Sequence, residues 1–594
     1  MSRRPILERQ GWHILAFLLL GAAVVAATRW VPQGGDRLAG WTATEWALFS
    51  WVMAGLSQFW VALFWRLELH GNHVSARLGP AGEWVHLVGY VVLFALRFVP
   101  LVPIAALSAH TAPLPVWLVV GLLVATTPPI LWTVYSATVY FGVRRLAGSD
   151  HFNPEHRSLG IERRGIYGRV PNAAYVVGIL ALFHPALFWE SALGLMVAAA
   201  HWAFVWVHYR CTEQPDMHTI YGGADAPDPT PPAPISLRRR LAGGLTVLLC
   251  VACAVGLPVE LRLARFAAGY AAKTTCSEVF VAGRDLESIR AEELAEVPLV
   301  RVHVDREAKR VVARLGIVER VAVYRPGLGA TLVVGTDETS LRKAPLPPAP
   351  PRGKDPRPWP LGDTLPEGTP EGVDLPRLTR ALDTAFSDSP DGPRTRAVVV
   401  LRGQELIAER YGPGYDAFTP HAGNSMTKAL LSALIGSAVD DGLLDLHAPA
   451  GLWPAGDPRA AITLEQLLHF SSGLRFSTSP RLAGLKALWS LLGEPSCADY
   501  AAAQDLLAPP GTTFAYPIGS NLASEVLRRA INDDAAYLAL PRRVLFDRIG
   551  MRYALIEPDP SGTLVCGSFS YATARGWARL GLLYMQDGVW NGEP

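Results

Sequence analysis

Long apolar runs separated by short polar stretches fill the first 260 residues, and the pattern then changes. Crossing a bilayer takes about 20 mostly apolar residues, and seven runs are candidates: 12–28, 45–65, 85–107, 115–141, 173–187, 190–207 and 241–259. The fifth and sixth are short and flank His184-Pro185, so they also read as a hairpin that turns before or at the far interface. Beyond the last run, short alternating segments at 279–281, 300–304, 311–315 and 321–324, separated by Gly and Asp turn signals, predict a small mostly-β module. Two strands at 397–401 and 406–411, joined by Arg402-Gly403-Gln404-Glu405, predict a hairpin. An Ala/Leu-rich helix follows and ends near Gly442, a C-cap. Residues 224–236 and 343–372 are too Pro-rich for packed elements and are read as linkers, the second extended and semi-rigid.

These patterns divide the chain into a polytopic membrane domain (1–223), a cytoplasmic Pro-rich linker (224–240) and a last transmembrane helix (241–260). A β module (261–342), a second Pro-rich linker (343–393) and a carboxy-terminal domain (394–594) complete it.

Charge orients the spans. Arg3, Arg4 and Arg9 precede the first run, and Arg66 and Arg77 follow the second. Arg144, Arg145, Arg157, Arg163, Arg164 and Arg169 follow the fourth, and Arg238-Arg239-Arg240 precedes the last. Arg and Lys accumulate in cytoplasmic loops, so the chain is expected to start inside, cross seven times and place everything after about residue 261 on the outer face of the inner membrane. The first run is read as an uncleaved span, because no small-residue cleavage site precedes Arg29-Trp30 and further spans follow.

Composition agrees: 50% of the residues are hydrophobic and 18% charged, more apolar than a soluble enzyme of this size. A lipid bilayer is the expected partner. With a net charge of +2 and no basic block with interleaved aromatics, nucleic acid is not. Cys250 and Cys253 lie in an apolar run and read as helix packing, with no second ligand pair for a metal. Cys497 and Cys566 lie where an oxidised pair would survive, and the sequence leaves their pairing open. Arg97, inside the third run, has two readings: a functional intramembrane charge, or a snorkelling or internally paired one.

The chemistry concentrates after residue 394. Gly423-Asn424-Ser425-Met426-Thr427-Lys428 opens the apolar helix, and residues i and i+3 of a helix share a face. Ser425 and Lys428 are thus expected within hydrogen-bond reach. A serine hydroxyl is a poor nucleophile until a neighbouring base, such as a desolvated lysine amine, takes its proton. The N–H of Ser425 is a candidate oxyanion donor. An isolated Ser-x-x-Lys recurs by chance, so its context matters: it is followed by 462–474, by Pro510-Gly511-Thr512-Thr513-Phe514-Ala515-Tyr516 and by Gly567-Ser568-Phe569-Ser570-Tyr571.

That ordered set resembles the serine beta-lactamase-like hydrolases, in the branch of ampC-type lactamases, DD-peptidases, esterases and 6-aminohexanoate oligomer hydrolases. The resemblance implies an α/β domain, helices around an antiparallel sheet, behind an all-α polytopic membrane domain. It makes Ser425 the nucleophile, Lys428 its general base and Tyr516 the group that shuttles the proton to the leaving group. The family's Asn, two residues after the tyrosine, is replaced by Ile518, so Asn521 is the candidate substrate-binding residue. The implied reaction is cleavage of a small amide, peptide or ester, with no cofactor and no metal. The family's third motif, a Lys or His strand, would fall beyond Pro594, and the sequence is read as a fragment. His469 lies in a Leu-rich stretch and is assigned a structural role, while Glu557 and Asp559 are read as a solvated, Pro-punctuated turn.

In the membrane half, residues 165–175, a hairpin, Thr212-Glu213-Gln214-Pro215-Asp216 and Tyr221-Gly222 resemble isoprenylcysteine methyltransferase-like and NnrU-like membrane proteins. Pro171-Asn172-Ala173 stands where that family has Arg-His-Pro, and Glu213 takes the place of its acidic residue. A methyltransferase in this half and a non-catalytic membrane sensor are the alternative functions.

Overall fold

The computed structural model describes residues 6–31, 37–109, 111–112, 114–170, 172–222, 234–349, 353–365, 367–368, 371–387, 394–475, 489–516 and 519–593, with backbone only at 116 and 252–259. Pro171, Ile518 and most of the first linker lie outside the described residues. The chain forms two compact units, Met1–Arg262 and Leu263–Pro594.

The first unit is helical. Among the described residues, five helices are long and apolar enough to cross a membrane: Gln10–Trp30, Ala43–Leu69, Ala81–Leu107, Trp117–Phe141 and Ala192–Tyr221. They coincide with five of the seven predicted runs. The run at 173–187 is instead a short, broken helical stretch, Ala173–Phe188, which passes through a 3₁₀ turn at Gly178–Phe183. Ala43–Leu69 starts with a capping box: Thr42 Oγ1 accepts from Glu45 N at 3.3 Å and Glu45 Oε2 from Thr42 N at 2.7 Å, which satisfies two of the N–H groups that a helix end leaves orphaned. Arg97 is internally paired. Its Nε donates to His201 Nδ1 at 3.0 Å, its terminal nitrogen to the His201 carbonyl at 3.3 Å, and its guanidinium stacks on Phe98 at 4.7 Å.

The seventh run lies within α1, a 44-residue helix over Leu237–Phe280. Residues 279–281, read as a strand from their β-branched valine pair, are in fact the end of this helix and the turn after it. Ala268, Ala271, Ala272, Thr275, Cys276 and Val279 are all buried, at the three- and four-residue spacing that aligns side chains on one helical face. Packing along that stripe overrides the strand preference of the valines.

In the second unit, β1 (Arg301–Asp305), β2 (Arg310–Leu315), β3 (Val318–Arg325) and β4 (Gly329–Leu332) pair antiparallel in that order. The predicted hairpin forms as β5 (Ala397–Arg402) and β6 (Glu405–Tyr411), with a register shift at Val400/Leu401. The second Pro-rich stretch packs against the domain. Asp355 pairs with Arg552 at 3.1 Å, Asp363 with Arg579 at 3.0 Å, Trp359 Nε1 donates to the Gln404 carbonyl at 2.9 Å, and Leu375–Ala385 is helical.

The core gathers around α2 (Thr427–Asp440), whose Leu430, Leu431, Leu434, Ile435 and Ala438 are buried against Leu464, Leu467, Leu522, Ala523 and Leu527. Cys211, Cys276, Cys497 and Cys566 are free thiols. Cys497 contacts the Ser490 carbonyl and Cys566 the Ser524 hydroxyl, so the two do not pair.

Candidate active site

The strand before the serine, β7 (Pro420–Ala422), pairs antiparallel with β9 (Ser570–Thr573), which also pairs with β8 (Leu555–Ile556). Gly423 continues the ladder, its N–H donating to the Ser570 carbonyl at 2.8 Å. A Cβ at Gly423 would sit 2.4 Å from both Ser570 Oγ and the Trp577 ring, so only glycine permits this approach. Asn424 then takes a left-handed φ of 44°, a conformation Asn tolerates better than most residues. The turn Asn424–Met426 is 3₁₀ and runs directly into α2. Thr427 pins the junction, its Oγ1 bonding the Asn424 carbonyl at 2.6 Å and Ser570 Oγ at 2.7 Å.

This turn presents Ser425 on the surface with its hydroxyl between two partners. Tyr516 OH lies 2.5 Å from Ser425 Oγ, and Lys428 Nζ donates to the same oxygen at 3.1 Å. Nζ also stands 4.8 Å from the Tyr516 ring centroid. Partial burial works to raise the pKa of the Tyr516 phenol, but the hydrogen bonds from Ser425 and Lys428 and the charge of Lys428 outweigh it and hold that pKa below its ordinary value. The N–H of Ser425 has no hydrogen-bond partner among the described residues, which leaves it available to an oxyanion.

Lys428 is itself held from behind. Its Nζ donates to the Gly567 carbonyl at 2.5 Å, and the Gly567 N–H donates to Asn521 Oδ1 at 3.0 Å. Asn521 thus anchors Gly567, the residue whose carbonyl aims the amine. The sequence motif containing Gly567 was visible without a role for it, because a backbone carbonyl leaves no residue-type signal. Phe470 was missed as well. It sits in the left-handed region at φ 55° and puts its ring edge-on to Tyr516 at 5.1 Å between centroids.

Three other predicted positions fall elsewhere. His469 caps the helix Leu464–Leu468 through its N–H, and its side chain is exposed. Glu557 and Asp559 are both buried, contrary to the solvated turn expected of them. Glu557 pairs with Lys273 and accepts from Ser277 Oγ at 2.8 Å and Ala330 N at 2.6 Å. Asp559 accepts from Ser561 Oγ at 2.5 Å and Cys497 N at 2.9 Å. For Glu557 the reason is α1, which carries Lys273 and Ser277 onto a turn that looks solvent-exposed in isolation; Asp559 is met instead by the segment at Cys497 and by its own turn. Each carboxylate is consumed by structure.

In the first unit, Tyr175 OH donates to Glu213 and Asn172 Nδ2 donates to Tyr209 OH at 2.9 Å.

Residues 383–588 match the family model for beta-lactamase, and residues 117–224 match that for phospholipid methyltransferase. Among solved structures, the chain is similar to one described as a 6-aminohexanoate-dimer hydrolase from Bacillus anthracis, at 26% identity over 36% of this chain and 58% of that one, TM-score 0.31. A structure described as a beta-lactamase from Bacteroides dorei is 23% identical over 33% of this chain and 60% of that one, TM-score 0.28. A penicillin binding protein from Bacillus halodurans is 16% identical over 33% of this chain and 72% of that one, TM-score 0.28. The chain spans 58% and 60% of the length of the first two. No curated protein matches it. The chain therefore joins a helical, multi-pass membrane part containing a segment similar to the phospholipid methyltransferase family to an α/β domain that is beta-lactamase-like over residues 383–588.

Proposed function

We propose that the protein is a membrane-anchored serine hydrolase that cleaves a small amide, peptide or ester through an acyl-enzyme on Ser425. The observation that carries this reading is one exposed hydroxyl bonded at once by Lys428 Nζ, at 3.1 Å, and Tyr516 OH, at 2.5 Å. With Nζ–H pointing at Oγ, the serine proton goes to the Tyr516 phenolate, which Lys428 stabilises. Tyr516 is then the immediate base, and Lys428, for which the family resemblance implies that role, keeps the phenol ionisable. Oγ attacks the carbonyl carbon while the oxyanion takes the Ser425 N–H. The C–N or C–O bond breaks, and the leaving atom takes its proton from Tyr516. Water then gives a proton to Tyr516, attacks the acyl carbon and releases the acid, and Oγ recovers its proton.

The Arg residues at 144–169 and Arg238-Arg239-Arg240 directly before the last run support an inner-membrane protein with this domain on the outer side, the short stretch Ala173–Phe188 and Ala192–Tyr221 then entering and leaving from the cytoplasmic face. The test is intact-mass labelling of the purified protein with a fluorophosphonate or a penicillin beside Ser425→Ala. An adduct on the parent that is absent from the variant is expected. An adduct that persists in the variant, or none on the parent, refutes the reading.

The family match of residues 117–224 favours a second activity, membrane methyl transfer. The residues at that site do not fit a methyl donor bearing a carboxylate. Asn172, in the stretch where the family carries Arg and His, gives its amide to Tyr209, and Glu213 is taken by Tyr175. No step is derived through such a donor. Equilibrium binding of S-adenosyl compounds to the parent and to Glu213→Gln is the test of this reading.

A further inference from the structure

Ser425 opens beside an apolar shelf. Met426, the next residue, is 50% exposed, Tyr516 is 44% exposed and Phe514 is 71% exposed. Phe514 and Tyr516 lie two residues apart in the chain. Both lean on Phe470, whose ring meets Phe514 at 5.9 Å and Tyr516 at 5.1 Å, each edge-on. A bulky residue at φ 55° is strained, and such strain persists only where surrounding structure imposes it. Here the Phe470 carbonyl accepts from Ala515 N at 2.7 Å, which ties the strained residue to the segment carrying both aromatics. An aromatic ring left this open beside a nucleophile gains from being covered.

The proton route decides which part of a substrate covers it. The leaving atom must come within hydrogen-bond reach of Tyr516 OH to be protonated. What is attached to that atom therefore lies along the Tyr516 wall, and that wall continues into Phe514. We propose that Phe514, backed by Phe470, selects substrates whose leaving group is an apolar alkyl or aryl alcohol or amine. This rests on the reading of Ser425 as the acyl-forming nucleophile and Tyr516 as the proton donor.

Acetate esters of straight-chain alcohols from ethyl to hexyl test it, because all pass through the same acetyl-enzyme and kcat/KM alone reports leaving-group recognition. A fully buried methylene is worth about fourfold, and on an open shelf roughly half that free energy, about twofold. The expected rise in kcat/KM is then roughly 15-fold from ethyl to hexyl for the purified full-length protein. Phe514→Ala should flatten the series, and Phe514→Leu, still apolar, should restore most of the slope. Phe514 is largely exposed, so its truncation leaves no core cavity. A flat series in the parent, or an equal slope in Phe514→Ala, overturns the assignment. A Ser425 fluorophosphonate adduct measured on the same samples separates the two claims. An adduct with a flat series removes only the shelf, whereas no adduct removes the nucleophile and the shelf with it.

Discussion

Replacing Lys273 by Met tests the buried pair that ties α1 to the turn after β8. Lys273 is 6% exposed and Glu557 0%, and the ammonium also lies 4.2 Å from the Phe569 ring centroid. Met is close to Lys in length and apolar, so the main loss is the charge. Glu557 would keep two neutral donors, Ser277 Oγ at 2.8 Å and Ala330 N at 2.6 Å. Removing one partner of a buried ion pair costs about 3–5 kcal/mol when the other stays charged. A loss of about that size is therefore expected at pH 7. Hydrogen exchange at the Ala330 amide, which donates to Glu557, reads the change where it occurs. Protection should fall by at least about 100-fold against the parent at the same pH. A loss below threefold would refute the reasoning.

Two further outcomes concern the site. Because Lys428 and Ser425 hold the Tyr516 phenol below its ordinary value, kcat/KM should rise with pH along a limb lying below pH 10, where the phenolate forms; Lys428→Met should shift that limb upward, and an unmoved limb would show that Tyr516 is not the titrating base. Asn521→Ala should lower kcat about 10-fold with little change in KM, because it frees Gly567, whose carbonyl aims Lys428, while Asn521→Asp, which keeps the acceptor, recovers most of it; a change confined to KM would restore Asn521 to substrate contact.

Much of the second unit's chemistry was legible because it is local. The i,i+3 geometry that joins Ser425 to Lys428 is a property of any helix start, whereas the strand before Gly423 and the close approach there came from the structure. Tyr516 came only from the order of motifs. A tyrosine 91 residues from its partner carries no local sign of the contact. Asn521 was placed at the site, but on the substrate side, since nothing in the chain indicates that its oxygen faces a peptide N–H.

The sequence by itself determined which segments are apolar enough for a membrane, the two-part organisation and the candidate nucleophile, because each depends on composition or on spacings of a few residues. Tertiary structure alone decided that valines at 279 and 281 finish a helix, that Glu557 and Asp559 are buried and fully bonded, and that Cys497 and Cys566 stay apart. Each of these turns on which segments packing brings alongside. Burial is a property of neighbours, and the neighbours here lie hundreds of residues away: Lys273 and Glu557 are 284 apart in the chain.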